Sequence, residues 1–161
     1  MSKHLRDEIR QTKPFSGPEQ EAFLSLGRTW AHLEHAFSEV LKPHGITVTQ
    51  YNVLRILRGA GKGGLCRGDV QGRMITRVPD VTRLLDRLEA QGFVVRERDP
   101  ADRRFVTTRI TGAGLGLLEG LDEPVESLHR EHMKGLSETE LRTLIRLLGR
   151  VRSSVREAEA G

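Results

Sequence analysis

One cysteine, one tryptophan and one tyrosine among 161 residues remove several classes of protein at the outset. The single Cys66 excludes an internal disulfide framework and a zinc site built on a cysteine cluster. No apolar run approaches the roughly 18 residues that would cross a bilayer, and no signal-peptide core is present. A cytoplasmic protein without membrane contact is therefore expected. Catalytic signatures are also missing: there is no Walker loop, nucleophile elbow, H-E-x-x-H helix or dinucleotide fingerprint. The G-A-G-K-G-G run from Gly59 to Gly64 lacks the Gly-Lys-Ser/Thr ending of a phosphate loop and does not lead from a strand into a helix. It reads as a plain loop. Neither an enzyme nor a cofactor is expected.

The composition, 37% hydrophobic and 30% charged, is that of a globular chain, and the length suffices for one domain with a real core. A net charge of +4 agrees with a polyanionic partner, although such an excess is also common in proteins that bind nothing acidic.

The densest information lies between Met74 and Ile110. At about 100° per residue, Val81, Leu84, Leu85 and Leu88 share one side of a helix, while Arg83, Asp86 and Ala90 point away and Thr82 and Arg87 flank them. Pro79 suits a first turn and Gly92 a left-handed C-terminal cap, which predicts a helix over Val78 to Gln91. Taken alone, Arg83 and Arg87 suit an ordinary solvated face with weak ion pairs. The adjoining residues change that reading. Phe93 to Arg98 and Phe105 to Ile110 are β-type runs separated by D-P-A-D-R-R, a turn-forming segment. Arginines at a hairpin tip add nothing to a core but can enter a narrow minor groove.

These segments, V-T-R-L-L-D-R-L-E-A-Q-G-F-V (Val81 to Val94), D-P-A-D-R-R (Asp99 to Arg104) and T-Q-Y-N-V-L-R-I-L (Thr49 to Leu57), resemble the MarR family of winged helix-turn-helix transcriptional regulators in order and spacing. The resemblance weakens before about Glu19. It implies a mainly α fold with a small β-hairpin wing, in which a winged helix-turn-helix core is flanked by N- and C-terminal dimerisation helices. It further implies that the helix after Val78 reads the major groove, and that Asp102 and Arg104 of the wing shape a minor-groove probe. By the same analogy the protein is a repressor rather than an activator.

Elsewhere, residues 1–17 read as a flexible or partner-packed arm. Phe23, Leu26, Trp30, Leu33 and Phe37 follow helical spacing from Pro18 to Leu41, and Pro43 and Gly45 end that helix. Thr47 and Gln50 form a T-x-x-Q capping box before a helix over Val48 to Arg58, and Arg67 to Met74 is a short helix. After the wing, a helical pattern opens at Thr111 and continues in phase past Pro124, as one kinked helix or two abutting ones. Ser137 and Glu140 form a second capping box, opening a last helix with Leu141, Leu144, Ile145, Leu148 and Val151 in period. The domain organisation is thus an arm (1–17), a dimerisation helix (18–46), a DNA-binding region (47–110) and C-terminal dimerisation helices (111–161).

Three long amphipathic helices around so small a middle region carry more apolar surface than a monomer can bury. A second copy is the expected cover. The resulting two-fold homodimer would place two recognition helices on a palindromic operator in double-stranded DNA. Arg83 and Arg87 lead the candidate DNA contacts because guanidinium groups can grip guanine bidentately. Arg77, Arg103 and Arg104 add positive charge, with Arg67 and Arg73 nearby, and Thr82 and Asp80 rank second. Asp86 either orients an arginine or accepts from a cytosine amino group, orientation being the favoured role. The resemblance also implies a small aromatic effector between the dimer helices and the reading head. Trp30, Phe37 and Tyr51 are candidates to line its site, with core packing as the plainer role of each.

Alternatives stay open at this level. A winged helix can serve protein contacts without specific DNA binding. Cys66, before a short helix and beside Arg67, could sense oxidants, although the family's peroxide-sensing branch carries its cysteine near the N-terminal helix. His32 with His35 and His129 with His132 have H-x-x-H spacing compatible with metal. The first pair faces away from its apolar stripe, His132 falls on the apolar side of its helix, and no further ligand completes either site.

Overall fold

The computed structural model describes residues 5–98 and 104–161. Its elements are α1 (Leu5–Glu8), α2 (Pro18–Leu41), α3 (Val48–Ala60), β1 (Leu65–Cys66), α4 (Arg67–Arg73), α5 (Val81–Ala90), β2 (Val94–Arg98), β3 (Val106–Ile110), α6 (Gly112–Met133) and α7 (Glu138–Ala160). The chain divides into two compact units, residues 1–122 and 123–161.

In the first unit, α2 ends where the sequence turns unfavourable for helix. Lys42–His44 tighten into a single 3₁₀ turn and Gly45 adopts φ 68°. Thr47 then starts α3 through a complete capping box, its hydroxyl accepting from the Gln50 N–H and the Gln50 side chain accepting from the Thr47 N–H. Buried Gln50 goes on to donate to Gln91 Oε1 at 2.8 Å, and Gln91 donates to the Gly45 carbonyl at 2.9 Å. The start of α3 is thereby tied to the end of α5. Leu54, Leu57, Val70, Leu85, Leu88 and Val94, drawn from α3, α4, α5 and β2, form the buried centre together with Leu118 and Leu121 of α6. A bidentate pair of Arg58 with Asp122, at 2.8 and 2.9 Å, fastens α3 to α6. The Arg58 guanidinium holds the Asp122 carboxyl below the usual carboxylate range.

The sheet is antiparallel with order β1-β3-β2, and Thr108 of β3 stands opposite both Leu65 and Arg96. Helices α3, α4 and α5 with this sheet make a winged helix-turn-helix. β1 is not foreseen from sequence because two residues are too few to show an alternation. Its approach depends on Gly64, at φ 65°, where a Cβ would sit 2.6 Å from the Thr108 carbonyl oxygen. Gly64→Ala meets both a left-handed backbone and a backbone clash, and is expected to cost on the order of 2 kcal/mol. Urea unfolding of the two proteins checks this.

Pro79 departs from expectation. α5 begins at Val81, not Val78, because the Asp80 carboxylate accepts from the Arg83 N–H at 2.9 Å and caps the helix there, which leaves Pro79 outside the first turn. At the other end Gln91 closes the helix and Gly92 turns left-handed at φ 77°.

α6 is one helix with Pro124 inside it, crossing from the first unit to the second. In the second unit the Ser137–Glu140 capping box opens α7 as the sequence indicates. α7 leaves Ile145 65%, Leu147 44%, Val151 47% and Val155 52% exposed. On α2, Phe23 and Trp30 are likewise exposed.

Candidate nucleic-acid interface

The apolar side of α5 is buried through Val81, Leu85 and Leu88, and this fixes what its other side presents. Thr82, Arg83, Asp86 and Arg87 are all exposed. Arg67, the first residue of α4, reaches across to donate from Nη1 to the Thr82 hydroxyl at 3.3 Å. The connection between α4 and α5 is held against α3 by the Ile75 N–H, which donates to Asn52 Oδ1 at 3.0 Å. Exposed Arg73 and Arg77 lie at the end of α4 and in that connection. Five arginines thus occupy α4, α5 and the turn between them, so a cationic surface is built from two helices whose apolar sides share one core.

The wing rises from the end of α5. β2 and β3 pair from Val94 opposite Ile110 to Arg98 opposite Val106. Arg109 ties this ribbon to the glycine loop, donating from Nε to the Lys62 carbonyl at 2.8 Å and pairing with Glu97. Arg104 is exposed where β3 approaches. Asp102 and Arg103, expected at the tip, lie outside the described residues. Arg96, in the middle of β2, turns toward α5. Its Nε and Nη2 donate to Glu89 Oε2 at 2.9 and 2.6 Å, its backbone N–H donates to Glu89 Oε1 at 3.1 Å, and Nη2 also meets Asp86 Oδ1 at 2.6 Å. Hydrogen bonding from Arg96 holds the Glu89 carboxyl below its ordinary range, and Glu89, with Asp86, raises the guanidinium. The arginine facing Asp86 therefore belongs to the wing. Sequence reasoning missed it because Arg96 and Arg98 look alike in a five-residue strand, and only the strand's packing separates them.

Of the effector candidates, Phe37 and Tyr51 meet edge to face with ring centroids 5.2 Å apart. Tyr51 is buried, and its hydroxyl accepts from Arg55 Nη1 at 3.1 Å. Trp30 stands 46% exposed on α2, two helical turns before Phe37. Cys66 is exposed and caps α4: its Sγ accepts from the Asp69 N–H at 3.5 Å and donates to Asp69 Oδ2 at 3.1 Å. His32, His35, His129 and His132 are exposed. His132 thus departs from its expected apolar setting, and among the described residues no three potential metal ligands gather.

A MarR family model matches residues 46–106. The multiple antibiotic resistance protein MarR of Salmonella typhimurium is 33% identical over 121 residues, covering 73% of this chain and 81% of that protein. The chain belongs to the MarR family. It is a transcriptional regulator and not an enzyme. Among solved structures, a MarR transcription factor from Planctomyces limnophilus is 38% identical with a TM-score of 0.66, covering 84% of this chain and 98% of that one. A mutant Escherichia coli MarR complexed with operator DNA is 28% identical with a TM-score of 0.72, covering 91% and 97%. The segment matched by the MarR family model runs from the residue before the Thr47 cap to the first residue of β3, so it contains both the outward face of α5 and Arg96. Among the described residues no helix is long and apolar enough to cross a membrane.

Proposed function

We propose that this MarR-family chain is a cytoplasmic, homodimeric repressor that binds a palindromic operator in double-stranded DNA and is released by a small aromatic effector. The observation that carries the reading is the outward face of α5, where Thr82, Arg83, Asp86 and Arg87 are exposed beside a wing packed on the same helix. The relative solved with operator DNA supports it. Arg83 and Arg87 read bases or phosphates in the major groove. Arg77 and Thr82 support them from the edge of that face. Asp80 acts through the cap that sets the first turn of α5. Asp102, Arg103 and Arg104 form the minor-groove probe.

In this reading residues 18–46 and 111–161 supply the dimer helices, residues 47–110 read DNA, and residues 1–17 are an accessory arm. The effector takes its place near the aromatic pair of Phe37 and Tyr51, with Trp30 at its margin.

Fluorescence-anisotropy titration against DNA from upstream of the chain's own gene, with a scrambled control, tests the proposal. If the upstream DNA is not bound selectively, a site enriched from random DNA takes its place. Selective binding is expected, and the same assay then screens aromatic acids and phenols for release. Equal, salt-insensitive binding to all DNA would favour a winged helix used for protein contacts instead. Replacing Arg103 and Arg104 with alanine should weaken operator binding about tenfold, since two minor-groove cations are lost from each wing. An effect within twofold in a folded protein would overturn the wing assignment.

A further inference from the structure

We infer that Arg96 is a positioning residue for DNA recognition, locking the recognition helix and the wing into one reading unit through Glu89 and Asp86. The inference rests on the proposed DNA-binding function and adds to it a group that reads no DNA itself. Three features single out Arg96 among the arginines of this region. Its side chain is only 23% exposed, against 52% for Asp86. Its guanidinium is committed to two carboxylates from successive turns of α5, and its own backbone N–H is held by one of them. It stands opposite Thr108, which is buried at the centre of the sheet. The clamp therefore joins the middle of the sheet to the outward side of α5, between Arg83 and Arg87 on one side and the wing strands on the other. A planar fork carrying several fixed donors can serve both carboxylates at once, whereas a lysine ammonium cannot hold that geometry.

The arrangement has an unusual electrostatic sign. Asp86 and Glu89 bring two negative charges to a surface proposed to face phosphates, and Arg96 neutralises only one. If the carboxylates were incidental, neutralising them would strengthen binding to any DNA, because repulsion from the phosphates would fall. If they hold Arg96, neutralising Glu89 loosens the wing against the helix and weakens the selected site despite the lost negative charge. The two accounts predict opposite directions. Asp86 is the less decisive test residue, since an acceptor for a cytosine amino group would also lose affinity on substitution. Glu89 serves better, because its two oxygens are both engaged by Arg96.

The experiment measures the full-length chain and its Arg96→Met, Arg96→Lys, Glu89→Gln and Arg96→Met/Glu89→Gln variants on a site enriched from random DNA by the wild type, and on a scrambled duplex. Circular dichroism confirms that each is folded at the assay temperature. The readout is the ratio of the two affinities, which a mere loss of folded protein would not move. Arg96→Met and Glu89→Gln should each lower the ratio about tenfold, chiefly through the selected site. The double variant should fall no further than either single one, and Arg96→Lys should not restore wild-type selectivity. A ratio within twofold of wild type for Arg96→Met overturns the inference while leaving the proposed function intact. So does a fall on both duplexes with a salt slope shallower by about one, which would make Arg96 a phosphate contact. A Glu89→Gln protein that binds both duplexes more tightly overturns it as well. A wild-type chain that enriches no sequence removes the DNA-binding reading, and the inference with it.

Discussion

Replacing Arg83 and Arg87 together with alanine is expected to lower affinity for the selected operator by about a thousandfold or more. Both residues are exposed on the side of α5 opposite its buried stripe, and alanine is the best helix former, so the fold should survive. A bidentate arginine contact is worth roughly 1–3 kcal/mol. Four such residues in a dimer reach about 4 kcal/mol even at the low end, which is about three decades of affinity. Salt separates the two roles an arginine can play. A wild-type dimer neutralising about 6–10 phosphates should lose about a thousandfold or more between 50 and 200 mM salt. If Arg83 and Arg87 contact phosphates, the variant's slope flattens and all sequences weaken together. If they read bases, selectivity at particular base pairs is lost as well. A folded double variant that binds the operator within twofold of wild type would mean that α5 is not the reading element.

That prediction starts from the part of the chain most legible in sequence. The phase of Val81, Leu85 and Leu88 locates the buried side of α5 because a 3.6-residue period leaves little freedom once three apolar residues agree. The two capping boxes are legible for a similar reason, since each is a local exchange of hydrogen bonds between residues three apart. Legibility fails where long-range partners decide. Pro79 is compatible with a first helical turn, yet Asp80 wins the start because its carboxylate satisfies the Arg83 N–H. β1 exists because Gly64 lets the chain approach Thr108. Nothing local marks Arg96 as the partner of Glu89 and Asp86, since that pairing follows from how β2 packs beside α5. Local periodicity thus points to the candidate reading face, while the groups that hold it at a fixed angle emerge only from tertiary packing.

The second large effect should come from a region remote in sequence from the reading face. Leu141, Leu144, Leu148, Val151 and Val155 recur at alternating intervals of three and four along α7, the spacing of a helix seam, and Ile145 borders it. A single chain leaves Ile145, Val151 and Val155 about half or more exposed. Aspartate at positions 145 and 151 should therefore cost an isolated chain little, the more so because Arg142, Arg146, Arg150 and Arg152 surround them in sequence. In a two-fold interface the same change buries four carboxylates without dedicated partners, at several kcal/mol each if fully desolvated. Ile145→Asp with Val151→Asp should accordingly shift the light-scattering mass from twice 18.1 kDa to 18.1 kDa at about 10 μM, with helicity retained. Operator affinity should fall with it by about a hundredfold or more, because each half-site must then recruit its reader independently and the effective concentration supplied by the partner is gone. Persistence of a full dimer would exclude this face as the interface. Loss of the dimer with operator affinity unchanged would instead show that one reading head suffices, and would overturn the palindromic operator.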